Sequence, residues 1–214
     1  MLILDHLRTE HEAIDRMVGA FRTFVERRVR QEVDAADLPR FAAFFRLFAD
    51  RYHHAREEDV LFPALVRELD LPRDRGPIAA ITDDHERMRA MLGEIVRRAE
   101  RPDPALPELA RAWSHALWLH IDAENSVLFP ECEERLSRAG VFELDERPIT
   151  DDERRARDDA PALLAKYPPS LAVDRGLVRG EGCAVCPSFG VRCDGIEREW
   201  WSEQEWDEFP DRVG

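Results

Sequence analysis

The sequence lacks three features that identify common classes of protein. It has no block of Lys and Arg, and its formal net charge of −14 disfavours the attraction to phosphate on which nucleic-acid binding depends. It has no apolar run approaching the roughly 18 residues needed to span a bilayer. Charged residues begin at Asp5, too early for the apolar region of a signal peptide. We therefore expect a cytoplasmic protein with no nucleic-acid and no membrane partner.

Cysteine is also scarce, and its distribution is uneven. Of four cysteines, Cys183, Cys186 and Cys193 lie close together near the C-terminus, too few and too local for a disulfide scaffold. The Cys-x-x-Cys pair has the spacing of a metal knuckle, but a closed tetrahedral site needs four ligands, and Cys132 completes the set if the chain folds back. Three interpretations stay open: a Zn²⁺ or other metal site, a redox-active dithiol, and a packed set of free thiols.

Two stretches of the chain repeat each other. HHAREEDVLFP at 53–63 and HIDAENSVLFP at 120–130 share the pattern His-x-x-x-Glu-x-x-x-Leu-Phe-Pro. EHEAIDRMVGAF at 10–21 aligns with DHERMRAMLGEI at 84–95, so that His11 matches His85. Both of these histidines lie on an apolar stripe with the three- and four-residue steps of an amphipathic helix. The chain therefore consists of two similar halves.

These patterns predict an all-α protein. Each half contains a stripe-bearing helix, from Leu4 or from Ile78, followed by a longer helix at about 38–69 or 107–138. Short connections make neighbouring helices antiparallel, which gives an up-down-up-down four-helix bundle over residues 1–140. Pro63 and Pro130 should kink or locally open their helices just past the motif.

Residues 141–214 read differently from the bundle. They are mostly charged and rich in turn residues, so we expect an irregular C-terminal extension that contains the cysteines. Trp200, Trp201 and Trp206 should dock on the bundle, because so much aromatic surface is seldom left in water.

The histidines and glutamates of the two halves should meet in one layer. At 1.5 Å per residue, His11, His53 and Glu57 lie at similar distances from the first turn, and the second half converges in the same way on His120 and Glu124. Burying such groups without partners costs several kcal/mol per ion, and imidazole and carboxylate are ligands of borderline divalent metals. We therefore expect a metal site made by six residues: His11, His53, Glu57, His85, His120 and Glu124.

The doubled residues of the first motif leave one choice open. Counting back from Leu-Phe-Pro selects His53 and Glu57, and turns His54 and Glu58 about 100° away. Glu58 is then a candidate hydrogen-bond partner of a ligand. We expect structural or surface roles for His54, His6 and His115. A lone His-x-x-x-Glu pair is usually only a surface contact, and it is the repetition that favours metal.

The quoted motifs resemble the hemerythrin-like, His-His-Glu cation-binding family over about residues 1–140. The resemblance implies two iron ions (Fe²⁺/Fe³⁺) with a bridging oxygen species, His11 and His53 on one iron, His85 and His120 on the other, and Glu57 and Glu124 as bridges. In one departure, Arg89 stands where oxygen-carrying members have a further histidine, one turn after the residue matching His85. One nitrogen ligand fewer implies a more open site.

The resemblance implies several functions. The first is a redox or stress-response protein that binds or senses oxygen, nitric oxide, peroxide or iron, with an unidentified electron-transfer partner. The alternative is an enzyme that decomposes peroxide or repairs damaged iron–sulfur centres. A third and weaker alternative, which does not come from the resemblance, is a purely structural bundle that carries zinc or no metal.

Overall fold

The computed structural model describes residues 1–170, and every regular element in this part of the chain is helical. Helix α1 is Leu2–Val29 and α3 is Gly76–Ala99. Helix α2 consists of Leu38–Ala43, Phe44–His54, Glu57–Leu61 and Phe62–Leu69 in succession. Helix α4 consists of Leu106–Ala123, Glu124–Leu128 and Phe129–Arg138. The prediction of an all-helical protein is confirmed for these residues.

The four helices pack around two apolar clusters. The Phe-rich cluster contains the second half of α1, the first half of α2, the second half of α3 and the first half of α4, with Phe21, Phe45 and Trp113 among its residues. The N-terminal cluster contains the opposite ends of the same helices, including Leu4, Leu65 and Leu136. Each helix therefore runs from one cluster to the other in the direction opposite to the helix before it. Burial of each large apolar side chain stabilises this arrangement by roughly 1.5–3 kcal/mol.

Helices α2 and α4 both widen at the repeated motif. Phe44–His54, Glu57–Leu61 and Glu124–Leu128 are π-helical, so their hydrogen bonds skip one residue more than in an α-helix. Pro63 and Pro130 follow near the start of the next α-helical segments, where a missing N–H is tolerated. The predicted opening thus lies across the motif and not past it, because the helix adjusts before it reaches each proline.

The expectation of an irregular extension is wrong for residues 151–166. Helices α5, Asp151–Asp158, and α6, Ala160–Lys166, follow residues 141–149, a segment without regular secondary structure that we call the strap. Thr150 and Glu153 form a reciprocal capping box that satisfies two backbone N–H groups at the start of α5. Beyond it, Leu163 and Tyr167 are buried against the Phe-rich cluster. The charged composition conceals this short apolar face.

Asp37 joins the extension to the start of α2. It is 6% exposed, accepts hydrogen bonds from Tyr167 Oη and Arg40 Nη1 at 2.7 Å each, and pairs with Lys166. Burial alone raises the pKa of this carboxyl group, but the three donors outweigh burial and lower the pKa to about 2. The extension is therefore held by an ionised aspartate.

We expect Asp37→Asn to destabilise the protein by about 2 kcal/mol near neutral pH, since lowering a carboxyl pKa from 3.8 to about 2 stabilises the folded state by that amount. The folded-state pKa is the lower one, so the contribution is present above about pH 4 and is lost as the pH falls through about 2. Urea unfolding of both proteins near pH 7 and at about pH 3 measures it. Asp145→Asn, at an exposed strap residue, is the control. An unchanged difference at low pH contradicts the assignment.

Candidate metal centre

The six predicted ligand residues lie in one buried layer between the two apolar clusters. None of them is more than 2% exposed. One histidine comes from α1 and one from α3, and a histidine and a glutamate come from each of α2 and α4: His11, His85, His53, Glu57, His120 and Glu124. The structure thus brings these side chains together, while their binding of metal stays a prediction.

The layer contains two groups of side chains whose potential ligand atoms lie within 4.8 Å of one another. The first group contains His11, His53 and Glu57. The second group contains His54, Glu57, His85 and His120. Glu57 belongs to both groups, so its carboxylate is placed to join two cation positions.

The two glutamates face both groups. Glu57 Oε1 lies 3.6 Å from His53 Nε2, and Glu57 Oε2 lies 3.4 Å from His85 Nε2. Glu124 Oε2 lies 3.2 Å from His11 Nε2 and 3.2 Å from His120 Nε2. Each carboxylate therefore reaches imidazoles of both groups, which is the arrangement of a bridging ligand.

Oxygen atoms outside the layer orient the histidines. His11 Nδ1 lies 2.9 Å from Asn125 Oδ1, His53 Nδ1 lies 2.9 Å from Glu10 Oε2, and His85 Nδ1 lies 2.7 Å from Glu58 Oε1. When Nδ1 donates to an oxygen, the neutral ring presents the Nε2 lone pair on its other side. The three rings are thus held with Nε2 facing the glutamates. Glu58 has the supporting role that the sequence suggested.

Six inward-facing atoms lack hydrogen-bond partners within the described residues. They are His11 Nε2, His53 Nε2 and the four carboxylate oxygens of Glu57 and Glu124, and all six are buried. His85 Nε2 and His120 Nε2 lie 3.2 Å from each other. Each of the six unpaired atoms costs roughly 1–3 kcal/mol, and more when it is charged. Divalent cations would satisfy all six atoms at once. The donor set therefore fits a pair of metal ions.

Burial and mutual repulsion set the protonation of the layer. Burial, with the nearby charge of Glu124, raises the pKa of Glu57 well above its ordinary range. Burial also raises the pKa of Glu124, but His120 and His11 reverse this and lower it. Burial and neighbouring imidazoles lower the pKa values of His53 and His85, which leaves their rings neutral and able to donate lone pairs.

The prediction that His54 points away from the layer is wrong. Its ring stacks on His85 with 3.9 Å between centroids and 13° between planes, and it belongs to the second group. The prediction assumed 100° of rotation between neighbouring residues. The π-helical segment Phe44–His54 has a wider turn, so the rotation is smaller and His53 and His54 both face inward.

Arg89 supports the second group from outside. Its Nε donates to Asp50 Oδ1 at 2.5 Å and its Nη2 to Glu58 Oε1 at 2.7 Å. Asp50 Oδ1 lies 3.5 Å from His54 Nδ1, and Glu58 accepts from His85. Arg89, at the position that lacks the further histidine, thus holds one carboxylate that accepts from His85 and another that lies beside His54. His54 brings a further imidazole to the second group.

A line of polar contacts connects the first group to the extension. Glu10, which orients His53, pairs with the buried guanidinium of Arg56. Arg56 Nη1 donates to Glu146 Oε2 at 2.5 Å, and Glu146 belongs to the strap. The strap therefore contacts a candidate ligand through only two intervening side chains.

The cysteine predictions are addressed in part. Cys183, Cys186 and Cys193 lie outside the described residues, as do the three tryptophans expected to dock. Cys132 is buried in the N-terminal cluster, and burial raises the pKa of its thiol. Because the thiolate is the form that binds metal, this environment disfavours Cys132 as a fourth ligand.

The sequence matches the Hemerythrin HHE cation binding domain over residues 2–132. The chain therefore belongs to this family, and the family with the buried His/Glu cluster indicates a metal-binding protein. Comparison with curated proteins gave no match, and comparison with solved structures gave none. Among the described helices, none is both long and apolar enough to cross a membrane. The cytoplasmic location and the absence of a nucleic-acid partner stay predictions.

We expect His54→Ala to weaken metal binding about tenfold or more, because it removes one imidazole from the second group. Competition with a chelator, followed by elemental analysis, measures the loss. His115→Ala is the control on α4, since His115 packs on Trp118 and belongs to neither group. Equal affinities of His54→Ala and the unaltered protein would exclude His54 as a ligand.

Proposed function

We propose that this chain binds two iron ions in the buried layer and uses them to bind or sense a small ligand in a redox response. In this proposal His11 and His53 serve the first position. His54, His85 and His120 serve the second, and Glu57 and Glu124 join the two. The observation that carries the proposal is the set of four buried carboxylate oxygens without partners among the described residues, which two shared cations would satisfy.

The donor set favours iron over harder or softer metals. Magnesium and calcium prefer sites made only of oxygen ligands, and copper(I) prefers sulfur. A layer of imidazoles and bridging carboxylates on facing helices is the ligand set of di-iron proteins, and iron is the cation implied by the resemblance to the family. Zinc binds the same donors, but it is usually four-coordinate and has no redox chemistry.

The two positions are unequal. Counting the bridging glutamates, the first has four protein side chains within reach and the second has five. Bound iron would supply reversible Fe²⁺/Fe³⁺ chemistry and coordination positions that no protein side chain fills. The first position, beside His11 and His53, would have more such open coordination positions than the second, because one side chain fewer lies within its reach. Since the surrounding side chains are almost fully buried, this position suits a diatomic molecule or peroxide and excludes larger ones.

The contacts of His53 support a sensing role. Its Nδ1 is hydrogen-bonded to Glu10, Glu10 accepts from Arg56, and Arg56 donates to Glu146 of the strap. A ligand that alters the charge or position of His53 would change the strength of these charge-assisted hydrogen bonds. The strap is the part of the chain placed to report that change.

The metal half of the proposal is tested by iron content after anaerobic loading with Fe²⁺ and dialysis. We expect about two irons per chain in the unaltered protein and a marked loss in Glu57→Gln/Glu124→Gln, because amides cannot replace the bridging charge. Glu134→Gln, at an exposed residue of α4, is the matched control and should keep both irons. Failure of the unaltered protein to retain iron would refute a di-iron site.

The ligand half is tested by anaerobic titration of the ferrous protein with nitric oxide and by peroxide turnover. We expect a spectral change that saturates at about one nitric oxide per chain, since only the first position is open enough. Catalytic turnover of peroxide would instead support the enzyme alternative. A loaded protein that binds neither ligand would contradict both.

A further inference from the structure

A cavity of about 420 Å³ lies beside the second group, between α2, α3 and α4. This volume is in the range of pockets that hold small organic molecules. Seven apolar side chains form most of its wall, among them Phe45, Met88, Leu92, Trp113 and Leu117. An occupant therefore needs an apolar body.

The inner end of the cavity reaches the buried layer. His54 lines the cavity and stacks on His85, although it is only 6% exposed. A molecule seated in the cavity would thus lie directly behind an imidazole of the second group. This places it away from His11 and His53, where the small ligand of the proposed function would bind.

The outer end of the cavity carries positive charge. Arg46 and Arg51 line it and are exposed, and their guanidinium groups have no carboxylate partner among residues 1–170. Asp50, the acidic residue of the lining, is already paired with Arg89. Two exposed guanidinium groups that line one cavity and have no carboxylate partner among the described residues stand out in a chain with a net charge of −14. They fit the carboxylate of a ligand.

We infer that this cavity binds an organic carboxylate with an apolar body, its carboxylate between Arg46 and Arg51 and its apolar end toward His54. A cavity of about 420 Å³ lies toward the lower end of the range for small-molecule pockets, so a ligand of roughly a dozen non-hydrogen atoms suits it. A medium-chain fatty acid or an aryl carboxylate has this size and polarity. The inference goes beyond the proposed function and does not depend on bound metal.

Decanoate is the probe, and isothermal titration calorimetry on the full chain, metal-free and iron-loaded, is the measurement. We expect saturable binding of one decanoate per chain in both forms. Decanol, which has the same chain without the charge, should bind about tenfold more weakly. The loss is modest because ion pairs between a carboxylate and exposed guanidinium groups each contribute little binding free energy. Binding to the metal-free protein separates this inference from the di-iron proposal.

Two variants test the two ends of the cavity. Leu92→Trp should fill the cavity and abolish binding, with circular dichroism to verify the fold. Arg46→Glu/Arg51→Glu should weaken decanoate at least tenfold and leave decanol unchanged. Arg16→Glu/Arg73→Glu makes the same charge change at exposed residues outside the cavity and is the matched control. Absence of decanoate binding, equal binding of decanol, or no effect of either cavity variant would overturn the inference.

Discussion

The structure depends on one electrostatic constraint, the burial of two carboxylates and five imidazoles in a single layer. Such groups are normally excluded from a protein interior or paired there. Here Glu57 and Glu124 have no hydrogen-bond partner among the described residues. Burial keeps the His53 and His85 rings beside Glu57 neutral, with lone pairs of their own, whereas the pKa of His120 beside Glu124 is raised to about 9. Metal cations between these groups would satisfy the carboxylates and the imidazole lone pairs together. Burying these groups lowers the free energy of unfolding of the bundle. Such a cost is expected where residues are selected for function and not for folding.

The rest of the fold holds this layer in position. The Phe-rich and N-terminal clusters pack on its two sides and keep water away. The π-helical turns rotate candidate ligand residues inward, and carboxylates around the layer accept hydrogen bonds from the Nδ1 atoms of His53 and His85. Arg56 and Arg89 then fix these carboxylates in turn. Through Glu146 this shell continues into the strap, so the extension is physically part of the supporting structure of the site.

The sequence predicts the bundle and most of the layer because both rest on regular helical spacing. The apolar stripes of α1 and α3 and the repeated motif need only the α-helical period, and each predicted ligand side chain lies in the layer. His54 could not be placed this way, since its orientation depends on a π-helical turn that the α-helical period does not describe. In the sequence, the doubled histidine at 53–54 together with Arg89 was the one indication that His54 faces inward. The contact of Glu146 with Arg56 joins residues 90 positions apart, which local patterns do not predict. Helix α5 was missed because its charged residues concealed a capping box.

The central claim is that two metal ions lie between Glu57 and Glu124. The most direct measurement is an anomalous difference map from crystals of iron-loaded protein, recorded on both sides of the iron absorption edge. The account predicts two peaks in the layer, about 3.5–4 Å apart, one beside His11 and His53 and the other beside His54, His85 and His120. A single peak, or iron only outside the layer, would contradict it.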